Sequence, residues 1–127
     1  MINWLTLSAV FIGGGLGAIA RFLLTSWLNP PAGQLPWGTL TVNLLGCALI
    51  GWVAFWLAQQ QLPDWLRPLL VVGGLGALTT WSSFALEGLI LWQNQQIRLA
   101  MLYVLLTFSG CFAAVAAGYW LAKKLLG

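Results

Sequence analysis

Histidine is absent from this chain of 127 residues, and charged residues are scarce: five are Lys or Arg and two are Asp or Glu. Without histidine, His-ligated metal sites and Ser–His catalysis are excluded, and two cysteines cannot build a disulfide framework. So few basic residues form no surface for a nucleic acid. The sequence also has no glycine-rich loop followed by lysine, which a nucleotide phosphate would require.

Apolar residues are abundant instead. Hydrophobic residues make up 61% of the chain and charged residues 6%, whereas soluble domains average about 45–50% and about 25%. Seven charges cannot cover the surface of a water-soluble protein of this size. A soluble enzyme, a disordered chain and a nucleic-acid binder all fit poorly, so the lipid bilayer is the expected solvent.

Four segments are long and apolar enough to cross a bilayer, which takes ~20 residues of helix. The predicted spans are residues 4–28, 37–57, 66–92 and 99–121. Proline-rich or glutamine-rich stretches separate them, and these cannot continue a helix or are too polar for lipid. The sequence therefore predicts an all-α, multi-pass membrane protein with one four-helix domain over residues 1–127.

The distribution of positive charge leaves the orientation almost undetermined. With the N-terminus in the cytoplasm, Arg67, Lys123 and Lys124 lie inside and the two other arginines outside, a difference of one residue. Cytoplasmic loops usually carry a clear excess of Lys and Arg. Two alternatives follow: insertion in both orientations, giving an antiparallel dimer, or one orientation set by a weak bias.

Small residues recur at helical spacing on two spans. Gly13 and Gly17 form a GxxxG motif, and Gly110, Ala114 and Gly118 repeat every four residues. Such stripes let helix backbones approach closely in lipid. They fit dimerisation and packing within one subunit equally well.

The third span contains a poor helix-forming stretch, residues 73–84, in which three glycines precede four hydroxyl residues. A break at this point would free backbone carbonyls and amides in mid-membrane, where only protein or a cavity can satisfy them. Carbonyls could bind a hard cation, and a new helix N-terminus could attract an anion. The alternative is a continuous helix whose glycines allow a neighbouring helix to pack closely against it.

Several polar residues fall inside the predicted spans, where polar groups are few and often functional. Thr39 and Asn43 share a helix face and could donate hydrogen bonds to an anion or join two helices. Glu87 is the acid inside the apolar segments. The remaining candidates are Arg21 near a span end, Ser82 and Ser83 beside the pair Trp81 and Phe84, and the stripe Tyr103, Thr107 and Cys111.

Three blocks of this sequence together resemble the Fluc (CrcB) family of fluoride channels. They are Gly13–Phe22 on the first span, Gly38–Gly46 on the second and Gly76–Phe84 on the third. Their order and spacing cover essentially the whole chain. Three positions depart from the family pattern: Trp81 replaces a common Phe, Ala77 a common Gly, and Cys111 an expected Ser.

The resemblance implies an antiparallel, dual-topology homodimer with a broken third helix, two fluoride pores and a structural Na⁺ between the copies. It implies that backbone carbonyls of Gly76 and Thr79 hold the Na⁺. The anion pathway it implies comprises Arg21, Thr39, Asn43, Trp81, Ser82, Ser83, Phe84, Glu87, Tyr103 and Thr107. The implied location is a bacterial cytoplasmic membrane, and no nucleic acid or nucleotide partner is expected.

The expected activity is passive export of fluoride, with no enzymatic chemistry. The alternative is a small proton-coupled exporter of cations or drugs, which would use Glu87 as its titratable group. A third interpretation is a membrane assembly subunit that transports nothing, in which the polar residues only pack.

Overall fold

The computed structural model describes residues 3–127, and this part of the chain is built from helices and short connections. Helix α1 is Trp4–Leu28 and α2 is Trp37–Gln59. A π-helical segment, Pro68–Leu75, continues into the short α3, Gly76–Leu78. Helix α4 is Trp81–Gln93 and α5 is Ile97–Leu126.

Four helical stretches are long and apolar enough to cross a membrane: Trp4–Leu28, Trp37–Gln59, Pro68–Gln93 and Ile97–Leu126. Their surfaces support this assignment, because large apolar side chains such as Trp4, Phe11 and Phe112 are exposed. In water such surfaces would be costly, whereas lipid solvates them. The protein is therefore a multi-pass membrane protein.

The ends of α1 follow local rules for helix termini. Asn3 begins the helix by accepting a hydrogen bond from the Thr6 amide at 2.8 Å. The helix ends before Asn29, and Pro30 follows, which cannot join the hydrogen-bonding pattern of a helix. Gly33, with a φ of 94°, turns the connection towards α2, and Gln96 donates to its carbonyl at 2.6 Å.

Glycines determine how closely the helices pack. A Cβ at Gly13 or Gly17 of α1 would collide with the backbone of Leu69 or Gly74 in the π-helical segment. A Cβ at Gly118 of α5 would collide with the Ala48 carbonyl of α2. Both small-residue stripes therefore contact other helices of the same chain, and packing within one subunit accounts for them.

Several polar side chains are buried among the apolar ones at the centre of the chain. The largest fully buried side chains are Tyr103, Leu91, Val42 and Thr39. Three further polar residues, Asn43, Thr80 and Thr107, are also buried. Lipid-facing apolar surface and a polar interior are typical of a protein that handles a polar solute within the membrane.

Candidate functional site

The backbone between α3 and α4 is extended at two residues. Thr79 has φ −81° and ψ 154°, and Thr80 has φ −147° and ψ 116°. These residues lie within the third apolar stretch, Pro68–Gln93. The Thr79 amide still donates to the Leu75 carbonyl at 3.1 Å, as in a helix. The Thr80 amide and carbonyl instead need partners from outside the helix.

Asn43 of α2 supplies two of the missing partners. Its Oδ1 accepts a hydrogen bond from the Thr80 amide at 2.7 Å, and its Nδ2 donates to the Thr80 carbonyl at 3.1 Å. Asn43 is 6% exposed and Thr80 5%. The primary amide therefore mimics a neighbouring strand and holds the extended backbone at its most buried point, while the second Nδ2 hydrogen remains for another acceptor.

Thr80 begins helix α4 with its side chain. Its Oγ1 accepts a hydrogen bond from the Ser83 amide at 3.2 Å, which is an N-cap interaction. The same hydroxyl donates to Ser83 Oγ at 3.1 Å and lies 3.4 Å from Ser82 Oγ. Thr80 is not among the predicted site residues, although a hydroxyl residue directly before a helix start is a recognised N-cap signal.

Because Thr79 and Thr80 are extended, two backbone carbonyls lose the amide donors that they would have in a helix. In a continuous helix, the Thr80 amide would donate to the Gly76 carbonyl and the Ser83 amide to the Thr79 carbonyl. Here the Thr80 amide donates to Asn43 and the Ser83 amide to Thr80 Oγ1. Gly76 is exposed and Thr79 half-buried, so both lie near the surface of the single chain.

Glu87 is the centre of a second polar cluster. Its Oε1 accepts hydrogen bonds from Thr39 Oγ1 at 2.7 Å and Asn29 Nδ2 at 3.3 Å, and its Oε2 accepts from Tyr103 OH at 2.7 Å. The cluster brings together α2, α4, α5 and the residue that follows α1. Both carboxylate oxygens are thus engaged by neighbouring donors, which suits a group that holds helices in place.

Asn29 is a member of this cluster that the sequence analysis treated only as part of a loop. Its Oδ1 accepts from the Gly38 amide at 2.8 Å and the Thr39 amide at 3.2 Å, and so caps the start of α2. Its Nδ2 reaches both Thr39 and Glu87. An asparagine next to a proline is an ordinary loop signal, so no local pattern marks this role.

Five of the predicted pathway residues line one polar cavity of about 390 Å³. They are Arg21, Thr39, Ser82, Ser83 and Glu87. The guanidinium of Arg21 gives this cavity a positive group, and the serines contribute hydroxyl donors. The cavity is open to the surface of the single chain.

A second cavity, of about 320 Å³, is lined in part by Thr79 and Thr80 of the extended backbone. Its lining includes three predicted residues, Asn43, Trp81 and Thr107, together with both cysteines. Thr107 is 4% exposed, and its Oγ1 has no hydrogen-bond partner among residues 3–127. This hydroxyl is therefore free to bond to a solute or water in the cavity.

The predicted aromatic pair lies in the first turn of α4. Phe84 and Trp81 have ring centroids 5.0 Å apart, and Phe84 packs edge-on against Tyr103 at 5.1 Å. Phe84 is 5% exposed, whereas Trp81 is 65% exposed. The two predicted aromatics are thus in contact but differ in environment: Phe84 is part of the core, and Trp81 lies at the surface of the single chain.

The sequence matches the family described as "CrcB-like protein, Camphor Resistance (CrcB)" over residues 8–119. A protein named fluoride-specific ion channel FluC from Hahella chejuensis is 45% identical over 121 residues, covering 92% of this chain and 94% of the relative. A FluC from Magnetococcus marinus is 45% identical over 112 residues, covering 86% and 90%. One from Salmonella arizonae is 42% identical over 117 residues, covering 91% of each.

These similarities confirm the resemblance seen in the three sequence blocks and do not favour the proton-coupled exporter. The relatives are named as ion channels, and a member of this family is not an enzyme. The match covers the extended backbone, both cavities and the Glu87 cluster. The chain therefore belongs to the CrcB family of fluoride-specific ion channels.

Proposed function

We propose that this chain is a fluoride-selective channel through which fluoride leaves the cell passively across a bacterial cytoplasmic membrane. The family and the names of its relatives support the choice of ion. The observation that carries the proposal is the cluster of amide and hydroxyl groups around the extended backbone, which line two cavities.

The chemistry of these groups suits fluoride. A small, strongly hydrated anion enters a membrane protein only if hydrogen-bond donors replace its water. The free Nδ2 hydrogen of Asn43 and the hydroxyls of Ser82 and Ser83 are such donors. The positive edges of the Phe84 and Trp81 rings add to them, and the Trp81 indole contributes an N–H. Chloride is larger, so a narrow route with this lining excludes it.

Charge at the polar cavity supports entry of an anion. Arg21 lines this cavity and raises the local potential, which concentrates anions at its mouth. Glu87 lines it too, but Thr39, Asn29 and Tyr103 donate to its oxygens. These donors offset its negative charge, so its role is to position Thr39 and Tyr103 beside the route.

We further propose that the carbonyls of Gly76 and Thr79 hold a structural Na⁺. Their usual helical donors bond elsewhere, and carbonyl oxygen is a suitable ligand for a hard cation. When bound, the cation would supply positive charge that stabilises these carbonyls in the membrane. The residues present therefore fit the ion.

Hard cations such as Ca²⁺ and Mg²⁺ take about six or more oxygen ligands, often including waters, so the two carbonyls of one chain supply only part of such a shell. A second copy of the chain would supply the same two groups and raise the number of carbonyl ligands to four. Antiparallel insertion would place both extended segments at the same depth, and each copy would then contribute one fluoride pathway. The near balance of positive charge between the two sides of the membrane agrees with this assembly.

Efflux from vesicles tests the proposed function. Purified protein is reconstituted into vesicles loaded with potassium fluoride, and valinomycin is added so that potassium can leave with the anion. A fluoride-selective electrode should record rapid efflux, absent from protein-free vesicles, while chloride-loaded vesicles retain their chloride. Equal rates for both anions, or efflux that requires a pH gradient, would overturn the proposal.

A further inference from the structure

Both cysteines of the chain line the same cavity, the one of about 320 Å³ beside the extended backbone. Cys47 belongs to α2 and Cys111 to α5, so they lie on facing helices. Both are partly exposed, and α2 and α5 are in contact next to Cys111, where the side chain of Leu44 packs against Gly110. The sequence alone places them 64 positions apart and gives no sign of this pairing.

A third side chain points to a ligand in this cavity. Thr107 is one helical turn before Cys111 on α5, and its buried Oγ1 has no hydrogen-bond partner among the described residues. Aromatic side chains of Trp81, Phe108 and Phe112 complete much of the wall. The cavity thus combines two thiols from facing helices and one free hydroxyl within largely apolar surroundings.

We propose that Cys47 and Cys111 form a binding site for a soft, thiophilic cation such as Cu⁺ or Hg²⁺, held between the two sulfur atoms. Thiolates select soft metals over hard ones. On binding, both S–H bonds break, each sulfur forms one bond to the metal, and two protons pass to the solvent. The step is redox-neutral, and two-coordinate binding needs no histidine or carboxylate ligand.

Occupation of this site would affect transport, a consequence that rests on the proposed function. Asn43, Trp81 and Thr107 line the same cavity and belong to the proposed fluoride route. A metal fixed between the sulfurs would fill part of the space beside Asn43 and so block the anion. The metal would thus inhibit transport by occupying space, without replacing any of the groups that bind fluoride.

The experiment uses detergent-purified protein and Hg²⁺ as the probe, with Mg²⁺ as the hard-cation control. X-ray absorption at mercury counts its sulfur neighbours independently of transport. One equivalent of Hg²⁺ should show two sulfur neighbours in the native chain, one in Cys47→Ser or Cys111→Ser, and none in the double variant, which has no thiol. Mg²⁺ should not bind at the thiols.

Two Hg²⁺ ions per native chain, each with one sulfur neighbour, would overturn the proposal, and so would two sulfur neighbours in either single variant. Fluoride efflux is then measured with and without Hg²⁺, each variant being compared with its own metal-free rate. Hg²⁺ should reduce native efflux to the protein-free rate, excess dithiothreitol should restore it, and the double variant should not respond. Two sulfur neighbours without loss of efflux would contradict the blocking step alone.

Discussion

Asn43 uses both ends of its amide on the backbone of a single residue. An aspartate at this position could still accept from the Thr80 amide, but it could not donate to the Thr80 carbonyl. A carboxylate would also place a negative charge on the proposed anion route, where little water is available to screen it. The native amide is the side chain that satisfies one donor and one acceptor without adding charge.

We therefore expect Asn43→Asp to reduce fluoride efflux to the rate of protein-free vesicles, as recorded with a fluoride-selective electrode. Asn94→Asp is the matched control, because it makes the same chemical change at an exposed residue after α4 and should leave efflux unchanged. Native efflux in a folded, monodisperse Asn43→Asp protein would contradict the assignment of Asn43 to the pathway.

Glu87→Gln distinguishes a channel from a proton-coupled exporter. The substitution keeps one acceptor oxygen and exchanges the other for an amide, so Tyr103 must reorient its hydroxyl. The substitution weakens about one hydrogen bond, whose net worth is about 0.5–1.5 kcal/mol. Since about 1.4 kcal/mol corresponds to a factor of ten, we expect the efflux rate to change by less than about tenfold. The measurement is efflux with and without a pH gradient. If the variant lost all transport while native transport followed the pH gradient, Glu87 would be a proton carrier.

For single residues, the sequence predicts which polar side chains matter better than it predicts their hydrogen-bond partners. Asn43, Thr39, Glu87 and Tyr103 were identifiable because polar groups are rare in apolar spans. Their actual bonds join residues up to 58 positions apart, as between Asn29 and Glu87. No pattern of local spacing encodes such a contact, which is why the role of Asn29 required the structure.

Helix α1 and the π-helical segment pack backbone against backbone. A Cβ at Gly17 would meet the Gly74 carbonyl and lie 3.1 Å from the Leu78 amide nitrogen, so the two elements would have to separate. Gly14, three residues earlier on the same helix, has nothing within 4 Å of a Cβ position. A side chain should therefore be tolerated at Gly14 but not at Gly17, and the two positions form a matched pair for substitution.

We expect Gly17→Ala to destabilise the protein by about 1–3 kcal/mol, the usual cost of overpacking a tight contact. Gly14→Ala should be neutral or stabilising by up to about 1 kcal/mol, since alanine favours helix. Thermal unfolding in detergent, followed by circular dichroism, compares the two. Equal stabilities would show that α1 does not pack on this segment as described.

The positions of the helices follow closely from hydropathy, but the site of the extended backbone does not. Glycines are the weakest helix formers in residues 73–84, yet Gly73, Gly74 and Gly76 are all helical and the extended residues are Thr79 and Thr80. The cause is tertiary: Asn43 from another helix supplies partners at Thr80, and the Thr79 methyl packs where Gly46 has no side chain.

The whole molecule presents large apolar side chains outward and leaves some of its proposed functional groups exposed. Trp81, Ser82 and Gly76 are exposed in the single chain, although each belongs to the proposed route or cation site. Exposed polar groups at mid-membrane depth are costly unless another protein surface covers them. The cover that we propose is a second copy of the chain, and the near balance of positive charge is compatible with its antiparallel insertion.

Two pairs of lysine substitutions test antiparallel insertion. Gln93→Lys with Asn94→Lys adds charge to the α4–α5 connection, and Gln60→Lys with Gln61→Lys adds it to the opposite end; all four residues are exposed. Each pair should fix one orientation through the positive-inside preference. We expect either variant alone to give little fluoride efflux and co-expression of the two to restore it.

Cell-derived vesicles and a fluoride electrode give the measurement, and a reporter fused to the C-terminus verifies each orientation. Full efflux from a variant held in a single orientation would contradict antiparallel assembly. It would leave the proposed ion and the residues of the pathway untouched, because those rest on the family and on contacts within one chain.

The reversal potential of the current through a planar bilayer tests passive fluoride conduction most directly. With different fluoride concentrations on the two sides, we predict a steady current whose reversal potential follows the fluoride gradient. It should stay constant when the chloride gradient or the pH gradient is changed. A reversal potential that follows protons or chloride, or the absence of current from a correctly folded protein, would contradict the account.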